Sequence, residues 1–240
     1  MIDKKVVIIG ASSGIGKQIA INYINSGAKV ALAARRQDKL KEIQALNPSN
    51  VVCKVIDITQ DSAQEDLKQL IDLLGGMDLF VLCSGVGWEN ITLEYQKESQ
   101  TVATNALGFT RMVVCAYNYF SKQGYGHIAA IASVAGRRTL YLAPSYCATK
   151  CFDIMYLRAL DQIAKKTHLN IKITTILPGF IDTDLLKSRQ YPLTCSVEKG
   201  GRIIFQGIEK SKRRVFAPFY WKYITWLMRI VPDCLLRKII

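Results

Sequence analysis

A chain of 240 residues, 50% of them hydrophobic and 21% charged, can bury one substantial core, which excludes an intrinsically disordered polymer. The formal net charge of +13 would suit nucleic acid, an anionic membrane or a phosphorylated ligand. The bases form no recognised nucleic-acid module, so nucleic acid is not an expected partner. Seven cysteines without paired spacing (Cys53, Cys83, Cys115, Cys147, Cys151, Cys195, Cys234) and two histidines, His127 and His168, exclude a zinc framework. No metal site is expected; the thiols read as free, mostly buried and in a reducing compartment.

Val6-Val7-Ile8-Ile9 is a short β-branched run that reads as a strand buried on both faces, and Gly10-Ala11-Ser12-Ser13-Gly14-Ile15-Gly16 follows it at once. Glycines let the backbone turn sharply, and a helix starting at Gly14 would aim its open N–H groups at a pyrophosphate. A second strand, Lys29 to Ala33, runs into Ala34-Arg35-Arg36. No carboxylate stands there to accept from a ribose 2′-hydroxyl, and the Arg35 guanidinium suits a 2′-phosphate, with Arg36 beside it; this favours NADPH over NADH. A third strand at Val51 to Ile56 ends in Asp57, which either accepts from an adenine amino group or caps a helix.

Further strands are expected at Leu79 to Cys83, His127 to Ile131, Ile171 to Leu177 and Val215 to Ala217, and helices at Gly14 to Ser26, Asp38 to Leu46, Asp61 to Leu74, Gln100 to Lys122 and Ser145 to Lys166. This alternation predicts one α/β domain over residues 1–240: a doubly wound, Rossmann-type, mostly parallel sheet of about seven strands, helices on both faces. Residues 182–214 read as a lid over the ligand crevice and 215–240 as a basic, aromatic extension. His127 reads as structural and His168 as exposed. Cys147 and Cys151 read as packing residues on one helical face.

Ser145-Tyr146-Cys147-Ala148-Thr149-Lys150 places a phenol and an ammonium one turn apart on one helical face. A nearby ammonium favours phenolate and eases proton exchange. Ser133, just past the fifth strand, offers a hydroxyl to a substrate oxygen, and Asn105, inside a long helix, offers a polar group that would kink it and hold a water chain toward Lys150. Singly, each has an ordinary structural role. Together, at strand ends, they would supply what reducing a carbonyl needs beside a hydride-carrying cofactor: an acid and a hydrogen-bond donor.

The glycine loop, Asn105, Ser133, Tyr146 with Lys150, and Pro178-Gly179 together resemble the short-chain dehydrogenase/reductase family over about residues 4 to 183. The resemblance implies that Ser133, Tyr146 and Lys150 are catalytic, that Asn105 completes a proton relay, and that Pro178, Gly179 and Thr183 border the nicotinamide. Leu82-Cys83-Ser84-Gly85 departs from the family's usual Asn-Asn-Ala-Gly, so only Gly85 is kept where Ser84 and Gly85 should meet the cofactor. By the same resemblance the two longest helices are surfaces of a homodimer or homotetramer.

The expected function is NADPH-dependent reduction of a small-molecule carbonyl, with a lipophilic ketone, lipid or steroid-like substrate suggested by Trp88, Tyr141 and Leu185-Leu186 near the crevice. A non-catalytic NADP-sensing or interaction protein is the alternative. No signal peptide or membrane-spanning run is apparent, so a cytoplasmic protein is expected. The aromatic, basic stretch Phe219 to Pro232 could also lie in a membrane interface.

Overall fold

The computed structural model describes residues 3–138, 141–186 and 191–231. Cys234 and the last tail bases, Arg237 and Lys238, lie outside the described residues, as does part of the expected lid, 187–190. Seven strands form one parallel sheet: β1 (Lys5–Ile9), β2 (Lys29–Ala34), β3 (Val51–Val55), β4 (Leu79–Leu82), β5 (Tyr125–Ile131), β6 (Asn170–Pro178) and β7 (Arg214–Ala217). Their spatial order is β3-β2-β1-β4-β5-β6-β7, and every neighbouring pair is parallel. The order reverses between β1 and β4, and at such a switch point a crevice opens beyond the strands' carboxyl ends.

Strand alternation divides the core in two. Val7 and Ile9 of β1 face one apolar layer with Phe80, Phe109, Met112, Phe120 and Leu157. Val6 and Ile8 face the other, with Ile19, Tyr23, Leu40, Ile204 and Ile208. All four β1 side chains are fully buried, each worth about 1.5–3 kcal/mol relative to exposure. The first layer is covered by α3 (Ala63–Leu74), α5 (Phe109–Gln123) and α6 (Pro144–Lys166), the second by α1 (Gly14–Asn25), α2 (Gln37–Gln44) and α7 (Val197–Glu209).

Two expectations change, one for a helix and one for the thiols. The predicted helix from Gln100 to Lys122 is α4 (Tyr95–Val102), a π-helical turn over Ala103–Gly108, then α5. Within the segment expected as a lid, α7 packs on α1: Phe205 meets the Tyr23 ring edge-on at 4.9 Å, and Glu209 accepts from Tyr23 Oη and Lys4 Nζ. The cysteines are less uniformly buried than expected: among the described ones Cys147 and Cys195 are buried, Cys53, Cys83 and Cys115 are part-buried, and Cys151 is exposed although it shares a helical face with Cys147. His127 is buried, its Nε2 2.8 Å from Thr174 Oγ1, and His168 is exposed.

Candidate active site

The loop after β1 is shaped by backbone rather than side chains. Gly10 has φ +84°, and a Cβ there would fall 2.5 Å from the Ser84 amide nitrogen, so only glycine lets the chain turn this close to the end of β4. Gly10 N and Ala11 N both donate to Ala33 O, stitching the loop to β2. The helix then starts at Gly14, where first-turn N–H groups have no intrahelical acceptor and favour an anion. Thr183 lies over the same turn, its Cγ2 3.2 Å from where a Gly14 Cβ would stand. A close-packed turn with an open helix N-terminus, Ile15 and Gly16 in its first turn, fits a dinucleotide pyrophosphate.

Arg36, the residue before α2, donates from Nη2 to Ser12 Oγ at 2.9 Å and Ser13 Oγ at 2.6 Å. Arg35 and Arg36 are both exposed, but Arg36 is the one held on the glycine loop, whereas Arg35 was the stronger sequence candidate. Asp57 Oδ1 accepts from Thr59 N and Thr59 Oγ1, a local turn bond rather than a helix cap, since α3 begins at Ala63 with Ser62 as its N-cap.

Lys150 lies on the buried face of α6, its side chain 4% exposed. Its Nζ donates to Ile131 O at 2.9 Å and to Asp153 Oδ2 at 2.8 Å. Burial opposes the ammonium, but Asp153, Tyr146 and Cys83 outweigh it and hold the lysine above its ordinary pKa. One turn earlier, the Tyr146 ring centroid is 6.0 Å from Lys150 Nζ. Gly87 admits that ring: a Cβ on Gly87 would sit 2.5 Å from Tyr146 Cδ2.

Ser133 is buried just beyond β5, and its Oγ accepts from Ala135 N at 3.1 Å. With a lone pair so engaged, the hydroxyl proton is directed elsewhere. Asn105 sits in the π turn, where the widened helix presents its amide to the β4 loop: Oδ1 accepts from Val86 N at 2.9 Å, and Nδ2 donates to Val86 O at 2.7 Å and Thr149 Oγ1 at 3.3 Å. Asn105 therefore clamps the loop that follows Ser84 and Gly85. Its Oδ1 and Lys150 Nζ both flank Gly85, 3.4 and 3.5 Å from an added Cβ.

Three contributors escaped the sequence reading. Asp153 pairs with Lys150; the signal was an acid three residues after the lysine inside the apolar run Cys151-Phe152-Asp153-Ile154-Met155. Glu98 caps the tyrosine helix from α4, its Oε2 accepting from Ser145 N at 3.1 Å while Oε1 accepts from Asn90 Nδ2 at 2.6 Å. These bonds, led by Asn90, hold its carboxyl below the usual range. Trp221 opens α8 (Trp221–Ile230) and is buried with Ala132, Val134 and Leu177, against Gly179, the residue after Pro178. No local pattern distinguished it from the outward-facing aromatics of the tail.

The model of short chain dehydrogenases matches residues 4–192. An uncharacterized oxidoreductase of Staphylococcus haemolyticus is 34% identical over 200 residues, covering 82% of each chain. An 11-beta-hydroxysteroid dehydrogenase-like protein of Arabidopsis thaliana is 31% identical over 246 residues, covering 96% of this chain and 78% of that one. Among solved structures, a short-chain dehydrogenase from Sphingobium yanoikuyae in complex with NADPH superposes with a TM-score of 0.81 at 19% identity, covering 95% of this chain and 96% of the other. A 3-ketoacyl-(acyl-carrier-protein) reductase from Brucella melitensis complexed with NADH gives 0.80 at 20% identity, covering 90% and 96%. The chain belongs to the short-chain dehydrogenase/reductase family and is an NAD(P)-dependent oxidoreductase.

Proposed function

We propose that this protein reduces a lipophilic ketone with NADPH. The observation that carries the reading is the convergence of Tyr146, Lys150 and Asn105 on the loop after β4, with Ser133 just beyond the β5 carbonyl that holds Lys150. The glycine loop, Arg36, Ser84, Gly85, Pro178, Gly179 and Thr183 would hold the dinucleotide. When bound, it supplies the hydride to the carbonyl carbon. Tyr146 gives its phenolic proton to the carbonyl oxygen, and Ser133 donates a hydrogen bond to the same oxygen as charge builds there. The Lys150 ammonium stabilises the phenolate that results.

NADPH is favoured because the end of β2 carries Arg35 and Arg36 and no carboxylate, and Arg36 already bonds hydroxyls of the loop. An apolar substrate is favoured by exposed Trp88, Ile91 and Leu93 after β4 and Leu185 and Leu193 after β6. A peripheral membrane contact is supported by α8 and the turn before it: Tyr223, Trp226, Leu227 and Ile230 are exposed on one stripe of α8, and Phe219 is exposed in that turn. No helix among the described residues is long and apolar enough to span a bilayer. Exposed Phe152 and Met155 on α6 support pairing of copies through that helix.

A turnover screen with NADPH, graded from acetone through long-chain methyl ketones to steroidal ketones, tests the reading. Rates that rise with chain length are expected. Tight NADPH binding without turnover of any member would defeat it in favour of a nucleotide-sensing role.

A further inference from the structure

Asp153 has no part in the chemistry above, yet it is fully buried, and its Oδ1 lacks a hydrogen-bond partner. A buried carboxylate is unfavourable unless paired. Its partner is the lysine of the site: Asp153 Oδ2 lies 2.8 Å from Lys150 Nζ, with the side chains 0% and 4% exposed. Ile131 O on β5 holds the same ammonium at 2.9 Å. The two acceptors, one on the helix and one on the sheet, leave Nζ little room to wander.

The other groups facing this ammonium are few. From α6 they are Tyr146 and Asp153, and from the end of β4 Cys83. The π turn offers only the neutral Asn105 amide, and β5 only the Ile131 carbonyl. Burial pushes the Asp153 carboxyl up, and Lys150 is the charge that opposes this.

We propose that Asp153 is a positioning residue for Lys150: its carboxylate fixes the ammonium and offsets part of the charge that Lys150 presents to Tyr146. At a distance the pair acts as a dipole, whose field falls away faster than that of a lone ammonium. On the reductase reading, on which this role rests, the proton-donating form of the site then persists to higher pH and favours carbonyl reduction.

Asp153→Asn keeps the shape and removes the charge, and Asp153→Ser removes it with a smaller side chain. Cys83 reports the same field without turnover, since its thiol, pushed up to about 12 by burial, is pulled down by Lys150. In cofactor-free protein, iodoacetamide alkylation of Cys83, read by peptide mass spectrometry, should move to lower pH by about one unit in both variants. The alkaline limb of 2-undecanone reduction with NADPH should move the same way. A shifted Cys83 profile without ketone turnover would uphold the positioning role and remove the reductase reading. Superimposable Cys83 profiles in folded variants would overturn the role, and so would loss of fold in both, which would make Asp153 structural only.

Discussion

Arg36 spans the gap between the second strand and the first helix, its Nη2 bonded to the hydroxyls of both Ser12 and Ser13. On the proposed reading, a guanidinium so placed would meet a phosphate carried on the adenosine side of the loop. Replacing Arg36 with alanine should weaken NADPH binding by about 10- to 100-fold, the worth of a charged hydrogen-bond donor. NADH affinity should change little. Fluorescence titration with both nucleotides measures the difference, and equal losses would show that Arg36 supports the loop rather than the 2′-phosphate.

Removing one oxygen isolates the proton step. Tyr146→Phe should lower turnover of a reducible ketone by roughly 100-fold or more while NADPH still binds, because the ring that packs beside Gly87 remains. Turnover within a few-fold of the parent would place the acid elsewhere.

Glu98 orders the tyrosine helix from outside it. α6 begins at Pro144 with no side-chain cap of its own, so the Ser145 N–H depends on the Glu98 carboxylate. Glu98→Ala should lower stability by about 1 kcal/mol, the usual worth of one such bond, and reduce kcat more than it raises KM by loosening Tyr146. Thermal melts and steady-state kinetics on the same preparation separate the two effects.

These examples show what local pattern reveals and what it hides. The parallel sheet was legible because buried strands are short β-branched runs and the helices between them repeat with helical period; β1 and α1 lie close to where those signals put them. Tyr146, Lys150, Ser133 and Asn105 stood out as candidates because their residue types and order are distinctive, and the fold brings Asn105, Tyr146 and Lys150 to the loop after β4. Asp153 and Glu98 were not: one looks like an acid interrupting an apolar face, the other like one more charge on an exposed helix. Their meaning comes from partners, and Glu98 and Ser145 are 47 residues apart in the chain. The inward turn of Trp221, with Tyr223 and Trp226 facing out, likewise depends on what packs against the tail.

Acid should weaken the fold through His127. Burial, then Lys4 and Lys172, lowers its pKa from 6.5 to about 4. The unfolded chain therefore binds the proton more readily between those values. The associated stability is present above about pH 6.5 and is lost as pH falls toward 4, to the extent of roughly 3 kcal/mol. Denaturant melts at stepped pH should show this decline, and His127→Gln should flatten it.

The outward stripe of α8 is tested with vesicles. Sedimentation with liposomes containing phosphatidylserine should carry the protein down, and the double change Tyr223→Ser with Trp226→Ser should reduce the bound fraction several-fold. Equal sedimentation of parent and variant would mean that this face meets something other than lipid.

The π turn at Ala103–Gly108 holds more than Asn105. A π turn houses one residue beyond ordinary helical spacing, a surplus that the bulge absorbs locally between α4 and α5. Deleting Ala106 would let the segment relax to uniform helix with α4 and α5 keeping nearly the same rotational phase, and the widened turn that presents Asn105 would close. The amide that grips Val86 would lose that presentation, while Glu98 would stay near the start of α6. The surplus residue acts as a spacer that opens the helix at one point: shortening the stretch should spare the packing of α4 and α5 and release the loop after β4.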